Sequence, residues 1–225
     1  MRKLLFSFFV LLLPFTLVSA VAESQLSRET KTVLKGGTPY KITLSGTYVI
    51  TTEKQRISSR IYIPNNLTVT LILEDCKIAP DNSLVGGSNI HYGAPIVIGG
   101  DNCSLTLQFR GDNELGCASN FSTTCFASAI TLLPKTSNRT ISVVIEEATD
   151  APAGSSLSLY GRNVGNTVAY GPIYLPTSYT LNKTTYSVDA SVTLQSGKIH
   201  LYTTDLLGEP YLSPAITATK VSLTG

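Results

Sequence analysis

Three short clusters of acidic residues are the first candidates for chemistry in this chain. They are Glu74-Asp75, Asp112 with Glu114, and Glu146-Glu147. Paired carboxylates act as general acids and bases, and carboxylate oxygens are preferred ligands of calcium. The two histidines, His91 and His200, lie in unrelated sequence surroundings, and no nucleophile motif is present. The sequence therefore predicts no catalytic residues, and it leaves open whether the acidic clusters hold calcium or only form a solvated edge.

Tyrosines are the candidates for binding sugars. The chain has 11 Tyr and no Trp. An aromatic face packs against the apolar side of a sugar ring, and the Tyr hydroxyl adds a hydrogen bond. Two tyrosines are outward residues of predicted strands and three lie in predicted loops just before such strands; they are Tyr62 and Tyr174, and Tyr92, Tyr170 and Tyr211. These five residues are the predicted ligand-binding set, with packing of the loops onto the scaffold as the alternative.

Four cysteines fit an oxidising compartment. Cys117 and Cys125 enclose a seven-residue loop and are predicted to form one disulfide, which leaves Cys76 and Cys103 for a second bridge. Connectivity cannot be read from sequence, and buried free thiols are the alternative. No C-x-x-C pair occurs and only two histidines are present, which argues against a zinc site.

Five asparagines begin the Asn-x-Ser/Thr sequence that glycosylation requires. Three of them recur at one position of a sequence repeat, where Asn also suits a tight turn with left-handed backbone: Asn66, Asn102 and Asn138. Turn residues are the favoured interpretation of these three. Asn120 and Asn182 lie outside the repeat and are the predicted glycosylation sites if the host glycosylates.

The tripeptide Arg110-Gly111-Asp112 matches an integrin-recognition motif, but three-residue matches arise often by chance. Arg110 is 36 residues from both Glu74 and Glu146. If a repeat places these three positions side by side, opposite charges stabilise the neighbouring strands. We therefore expect Arg110 to lie between the two carboxylates rather than on an adhesive loop.

A strand repeated every 36 residues must position these groups. The copies are 66–73, 102–109 and 138–145, and each reads Asn, any residue, hydroxyl, apolar, hydroxyl, apolar, any residue, apolar. Such alternation is typical of a strand with one buried face, and a fixed period of this length is typical of stacked structural units. Equivalent apolar residues are expected to stack in the core: Val69, Leu105 and Ile141; Leu71, Leu107 and Val143; Leu73, Phe109 and Ile145.

Two further strand patterns accompany the copies. A short apolar strand precedes each one, as in 60–64, 95–99 and 129–134, and a third strand follows, as in 156–160 and 198–202. No helical periodicity of any length appears. The pattern predicts an all-β chain folded as a parallel β-solenoid of about five coils, with three strands in each coil.

Composition indicates the compartment and the class of partner. The 225 residues suffice for one domain. Nucleic acid is an improbable partner, because the chain has 14% charged residues, a net charge of +2 and no basic run beyond the extreme N-terminus. Residues 1–20 have the basic, apolar and small-residue regions of a signal peptide. An uncleaved membrane anchor is the alternative, but the apolar run is short for a membrane span. We expect a secreted, extracellular or cell-surface protein with no membrane partner after cleavage. Residues 21–39 are then a polar N-terminal segment or cap, and residues 40–225 form the solenoid domain.

The segment 48–78, the turn Gly111-Asp-Asn-Glu-Leu115 and the recurring Ala-Ile motifs resemble a family of secreted bacterial repeat proteins that contain carbohydrate-binding domains. The resemblance covers about residues 40–220. It implies a right-handed parallel β-helix and non-catalytic binding of a polysaccharide or surface glycan. No cofactor is expected, with calcium left open by the acidic clusters.

Two other functions stay open on the sequence. A structural adhesin or cell-surface coat subunit would assemble through the ends of the β-helix, which the strand predicted at 221–225 supports. A polysaccharide lyase or hydrolase would use the same fold, but the chain lacks the catalytic residues. Fold alone does not separate these functions.

Overall fold

The computed structural model describes residues 24–28, 30–80, 94–116, 128–162, 171–204 and 214–224. Throughout these residues the structure is all-β, and none of them lies in a helix. The strands form three sheets, in which all neighbouring strands are parallel except for one hairpin. The prediction of an all-β chain of stacked parallel strands is confirmed.

The first sheet contains seven short strands that contribute a column of isoleucines to the core. In spatial order they are β1 (Ser24–Gln25), β3 (Thr38–Lys41), β6 (Ser59–Ile63), β9 (Ile96–Ile98), β12 (Ile130–Leu132), β15 (Ile173–Tyr174) and β19 (Ile216–Thr217). Ile61 lies opposite Ile96, which lies opposite Ile130, and Ile130 lies opposite Ile173. All four are fully buried, so each strand is held by the strands on either side of it.

The second sheet carries the longest strands and includes the predicted repeat. Its strands are β2 (Thr32–Val33), β4 (Gly46–Thr51), β7 (Thr68–Glu74), β10 (Asn102–Arg110), β13 (Arg139–Glu147), β17 (Thr184–Leu194) and β20 (Lys220–Leu223), with β16 (Ser178–Leu181) beside β17. β16 is antiparallel to the first residues of β17, and the two-residue turn between them is Asn182-Lys183. β20 is parallel to the last residues of β17.

The third sheet has five strands and follows the second in the chain. They are β5 (Arg56–Ile57), β8 (Lys77–Ile78), β11 (Asp112–Leu115), β14 (Ser156–Arg162) and β18 (Lys198–Thr204). The chain passes through the first, second and third sheets in that order and then repeats it, as β6, β7 and β8 are followed by β9, β10 and β11. The apolar residues of all three sheets face one shared core.

The core between β7 and β10 has the register that the repeat predicts. Leu105 lies opposite Val69 and Leu107 lies opposite Leu71. All four side chains are at most 1% exposed. The stacking prediction is confirmed for this pair of strands.

Between β10 and β13 the predicted register is wrong by two residues. Leu105 lies opposite Val143 rather than Ile141, and Leu107 lies opposite Ile145 rather than Val143. Side chains alternate between the two faces with a period of two, so a two-residue shift keeps every aliphatic residue in the core. Burial alone therefore does not distinguish the two registers, which is why the sequence repeat misleads here.

The repeated asparagines are only partly equivalent. Asn66 has a left-handed φ of 57°, as the turn interpretation expects. The Asn102 Nδ2 lies 3.4 Å from the Asn66 Oδ1, so the two amides stack in neighbouring turns. Asn138 does not continue the row, because the register shift places Thr140 opposite Asn102 and the Asn138 Oδ1 instead accepts a hydrogen bond from the Ser187 amide.

The predicted disulfide between Cys76 and Cys103 is absent. Both are buried free thiols; the Cys76 Sγ donates to the Ile50 carbonyl at 3.2 Å and the Cys103 Sγ donates to the Pro64 carbonyl at 3.0 Å. Cys103 lies near the start of β10, whereas Cys76 follows the end of β7, so the length of a strand, about 20 Å, separates them. A disulfide requires Cα atoms within about 7 Å.

The described part of the N-terminal segment belongs to the sheets. β1 pairs with β3 and β2 pairs with β4, both in parallel. Leu26 and Leu34 are buried against the core. The expected domain boundary at residue 40 falls inside β3, so the strand stack begins before it.

Candidate functional site

The outward surface of the third sheet at β14 and β18 carries three aromatic rings. Ser156-Leu-Ser-Leu-Tyr160 and Lys198-Ile-His-Leu-Tyr202 both alternate polar or aromatic residues with aliphatic ones. The aliphatic residues of both strands pack in the core, so alternation turns Tyr160, His200 and Tyr202 outward. We call these three residues the aromatic face.

The rings of the aromatic face are nearly parallel. Tyr160 lies opposite Tyr202 in the register, with ring centroids 4.8 Å apart and planes inclined by 15°. The His200 ring lies 6.0 Å from that of Tyr202, inclined by 18°. Tyr202 is 40% exposed, so this stacked pair presents apolar ring surface to solvent.

Hydrogen-bonding groups form a row beside the rings. Glu114 lies opposite Ser158, and Ser158 lies opposite His200, on three successive strands. The Glu114 carboxylate is paired with the Arg56 guanidinium, which fixes its position. The row supplies a carboxylate, a hydroxyl and an imidazole at about the 4.8 Å spacing of strands.

Packing of the sheet holds Tyr160 in place. Burial raises the pKa of its hydroxyl above the ordinary value, and the nearby Glu114 carboxylate acts in the same direction. On the preceding strand Gly116 follows Leu115, which lies opposite Leu159, so a glycine lies beside Tyr160 on that side. A Cβ at Gly116 would lie 2.7 Å from the Tyr160 carbonyl oxygen. The glycine therefore allows the two strands to approach closely at Tyr160.

The two predicted ligand-binding tyrosines of the first sheet share one outward row, as expected. The row runs from Tyr62 through Val97 and Thr131 to Tyr174. Its middle is closed, however, because Val97 is fully buried and Thr131 is 2% exposed. The row is therefore not a continuous open platform.

The Tyr62 side chain lies against the neighbouring strand. Its ring packs with Val97 in a small apolar cluster, and a Cβ at Gly99 would lie 2.2 Å from the Tyr62 hydroxyl. The Lys41 ammonium lies 5.9 Å from the ring centroid. Tyr174 is half-buried, and burial raises the pKa of its hydroxyl. Both rings offer less open surface than Tyr202.

Several predicted residues lie outside the residues that the structure describes. They are Tyr92, Tyr170 and Tyr211, the pair Cys117 and Cys125, Asn120, and His91. Residues 1–20, the expected signal peptide, lie outside them as well. The roles assigned to these residues remain predictions from the sequence.

Asn182, the other predicted glycosylation site, lies in the two-residue turn between β16 and β17. It is exposed and has a left-handed φ of 50°. The turn projects the amide into solvent, as a glycan acceptor requires. Modification of Asn182 stays a prediction.

Arg110 has one of its two predicted partners. Its guanidinium contacts the Glu74 carboxylate at 2.6 Å and the Asp150 carboxylate at 2.5 Å. The prediction of Glu146 as the second partner is wrong, because the register shift places Glu146 opposite Gln108, whose Nε2 donates to it at 2.7 Å. With Arg110 engaged on both sides, the Arg-Gly-Asp tripeptide is not presented as an adhesive loop.

The carboxylates of the first two acidic clusters lie beside cationic side chains. Asp112 is 3.0 Å from the Lys77 ammonium, and Asp75 is 3.9 Å from that of Lys54. Over the described residues, no three His, Cys, Asp or Glu side chains are grouped to hold a metal ion. These ion pairs favour the interpretation of the first two clusters as a solvated edge.

The aromatic face was missed by sequence reasoning. Its signal was present, since the two pentapeptides ending at Tyr160 and Tyr202 share one alternating pattern. Their separation of 42 residues departs from the 36-residue repeat. Both segments were predicted as third strands of their coils, but the outward tyrosines at their ends were not predicted as ligand-binding residues.

Comparisons with known proteins give no match. The chain matches no protein-family model, no curated protein and no solved structure. In the part of the chain that the structure describes, no helix has the length and apolar character needed to cross a membrane. The function must be argued from the geometry of the surface.

Proposed function

We propose that the protein is a secreted, non-catalytic glycan-binding protein whose contact surface is the aromatic face. The observation that carries the proposal is the solvent-facing Tyr160–Tyr202 stack with a hydrogen-bonding row beside it. Sugar rings have an apolar side that packs on aromatic carbon and hydroxyls that need polar partners. The face offers both on one surface.

The proposed scaffold is a right-handed parallel β-helix of about five coils with three strands in each. The repeated passage of the chain through three parallel sheets supports it. Handedness comes from the resemblance described above, and the number of coils comes from the strand pattern of the sequence. A stacked scaffold holds outward side chains at fixed intervals, which matches the repeated units of a polysaccharide.

The ligand is proposed to lie across β14 and β18, with one ring on Tyr202. Ser158 and His200 would then donate to and accept from its hydroxyls, and Glu114 would accept one further hydrogen bond. Each such contact is weak. Affinity should therefore grow with the number of sugar units that contact the surface, or with valency.

The first experiment is a screen of the mature protein against a glycan array, with calcium and with a chelator. We expect binding to polysaccharides or extended glycans that is the same in both conditions, because the carboxylates near the face are paired with Arg and Lys side chains. A protein that retains its fold and binds nothing on a broad array would contradict the proposed function.

A structural role is a second candidate, favoured by one apolar surface. Leu223 is 76% exposed and Val221 is 45% exposed on β20. Leu223 also lines a cleft of about 450 Å³ with Leu194 and Ile199. Association through this apolar surface should give an oligomer whose size in light scattering grows with protein concentration. Leu223→Glu should prevent that association. A parent protein that is monomeric at all concentrations would exclude a structural role of this kind.

A further inference from the structure

The outward face of the second sheet carries two rows of hydroxyl side chains. The sequence repeat alternates hydroxyl and apolar residues, and the apolar ones fill the core, so the hydroxyls point outward. The strand register places the members of each row opposite one another on successive strands. The first row is Thr68, Ser104, Ser142 and Ser191. The second row is Thr47, Thr70, Thr106, Val144, Thr193 and Ser222. We call these two rows the hydroxyl array.

The hydroxyls of the array are accessible and uncommitted. Every residue of both rows is exposed or half-buried. In the part of the chain that the structure describes, no hydrogen bond joins a hydroxyl of the array to another protein group. A hydroxyl both donates and accepts, so each one is available to a ligand. No charged residue interrupts either row from β7 to β17; Lys220 lies opposite Ser191 on β20.

The preferences of residues for strands do not account for the array. Thr is enriched in strands, but Ser is not among the residues that favour them, and Ser predominates in the first row. The outward row beside Thr70 and Thr106 contains no hydroxyl at four successive positions, which are Val49, Ile72, Gln108 and Glu146. The hydroxyls are therefore concentrated in two adjacent rows rather than spread over all outward positions.

The spacing along each row is close to that of hydrogen-bonded water. Neighbouring strands lie about 4.8 Å apart, and this is the distance between successive members of a row. Two water molecules that bind a common third one tetrahedrally, with O–H···O distances of about 2.75 Å, lie about 4.5 Å apart. The difference of about 0.3 Å per strand adds up to only about 1 Å across four strands. A row of the array therefore stays in step with a row of tetrahedrally ordered water molecules.

We propose that the hydroxyl array binds the surface of ice. A single contact between a hydroxyl and water is weak, so the array gives a small dissolved molecule little affinity. A solid whose surface repeats at a similar spacing makes many such contacts at once, and linked weak contacts give strong binding. The array has neither the charges nor the aromatic rings that recognise ionic ligands and sugar rings. It lies on a different sheet from the aromatic face, so ice binding is independent of the proposed glycan binding.

The test measures the fraction of protein that enters slowly growing ice. Growing ice excludes ordinary solutes, whereas a protein held on its surface is overgrown and incorporated. We expect the folded parent to be incorporated. The double variant Thr70→Tyr with Thr106→Tyr places two bulky rings in the middle of the array and should be excluded. Thr184→Tyr makes the same exchange at an exposed position outside the array and should be incorporated like the parent.

Exclusion of the folded parent from ice would overturn the proposal without reference to any variant. Incorporation of the double variant at the level of the parent would overturn it as well, and so would loss of incorporation in Thr184→Tyr. The Tm of each variant shows that it is folded. If the double variant does not fold, Thr106→Lys replaces it, because a flexible charged side chain is tolerated at a half-buried outward position; it should also be excluded from ice. Tyr160→Ala with Tyr202→Ala should be incorporated like the parent, which separates this site from the aromatic face.

Discussion

Arg110 lies directly opposite Glu74 on the neighbouring strand, and its Nη2 is 2.6 Å from the Glu74 Oε2. Lys31 approaches the same carboxylate from the other side at 2.7 Å. Asp150 extends the row beyond Arg110. Four charges of alternating sign thus follow one edge of the second sheet, where they compensate each other.

Stability should fall in acid when Glu74 is protonated. Its pKa is lowered from the ordinary value of 4.5, chiefly by the hydrogen bond from Lys31; burial opposes this, and Arg110 lowers it further. A folded-state pKa below the unfolded value means that the stabilisation is fully present above about pH 4.5 and is lost as pH falls through the folded pKa.

Glu74→Gln should therefore lower the free energy of unfolding at neutral pH by about 1 kcal/mol, the scale of a partly exposed ion pair. The difference from the parent should shrink as the pH falls below 4.5 and Glu74 is protonated, because a protonated Glu and a Gln are both neutral. Urea unfolding at neutral pH and in acid measures it, with the exposed Glu53→Gln as control. A constant difference across pH would contradict the assignment.

The two-residue register shift predicts which charges are coupled. Double-mutant cycles should give a coupling energy of about 0.5–1 kcal/mol for Arg110 with Glu74 and close to zero for Arg110 with Glu146. The reason is that Glu146 lies opposite Gln108 instead. A coupling energy between Arg110 and Glu146 as large as that between Arg110 and Glu74 would contradict the two-residue shift and support a uniform 36-residue register.

The core stack predicts a large cost for losing Leu107. This side chain is fully buried between Leu71 and Ile145. Leu107→Ala should lower the free energy of unfolding by about 2–5 kcal/mol, and Leu107→Asp should prevent folding, because it buries an unpaired charge. Thr106→Ala, on the outward side of the same strand, is the control and should change the free energy of unfolding by less than about 1 kcal/mol. Similar costs at the two positions would contradict the inward–outward assignment of β10.

Cys76 should be an unreactive free thiol in the folded protein. It is fully buried, and burial raises the pKa of its thiol to about 12, whereas alkylation requires the thiolate. Iodoacetamide at about pH 8 should leave Cys76 unmodified in the native state and alkylate it without prior reduction once the chain is unfolded. Peptide mass spectrometry reads both states; a Cys76–Cys103 cross-link in the unreduced sample would contradict the structure.

The sequence predicts the strands well because alternation and burial are local properties. Val69 and Leu71 are inward in both the pattern and the structure. Register is a relation between strands, and it depends on turns and on long connections. The shift at Leu105 and Val143 is invisible to alternation, since moving by two residues preserves each buried face.

The candidate site was harder to predict for the same reason. Tyr62 and Tyr174 were correctly placed in one row, but burial of Val97 and Thr131 in that row depends on packing that no local pattern encodes. Tyr160 and Tyr202 become neighbours only because β14 and β18 pair across a 42-residue interval.

Glycan binding by the aromatic face can be tested by mutation of its tyrosines. The most direct test uses one polysaccharide that the parent binds and compares its dissociation constant for two double variants. One variant combines Tyr160→Ala with Tyr202→Ala, and the other combines Tyr62→Ala with Tyr174→Ala. Circular dichroism checks that each variant has the native fold. Aromatic contacts of about 1 kcal/mol each correspond to a loss of about 10- to 30-fold in the first variant, and the second should bind like the parent. Full binding by the first variant together with loss in the second would contradict the account and place the site on the first sheet.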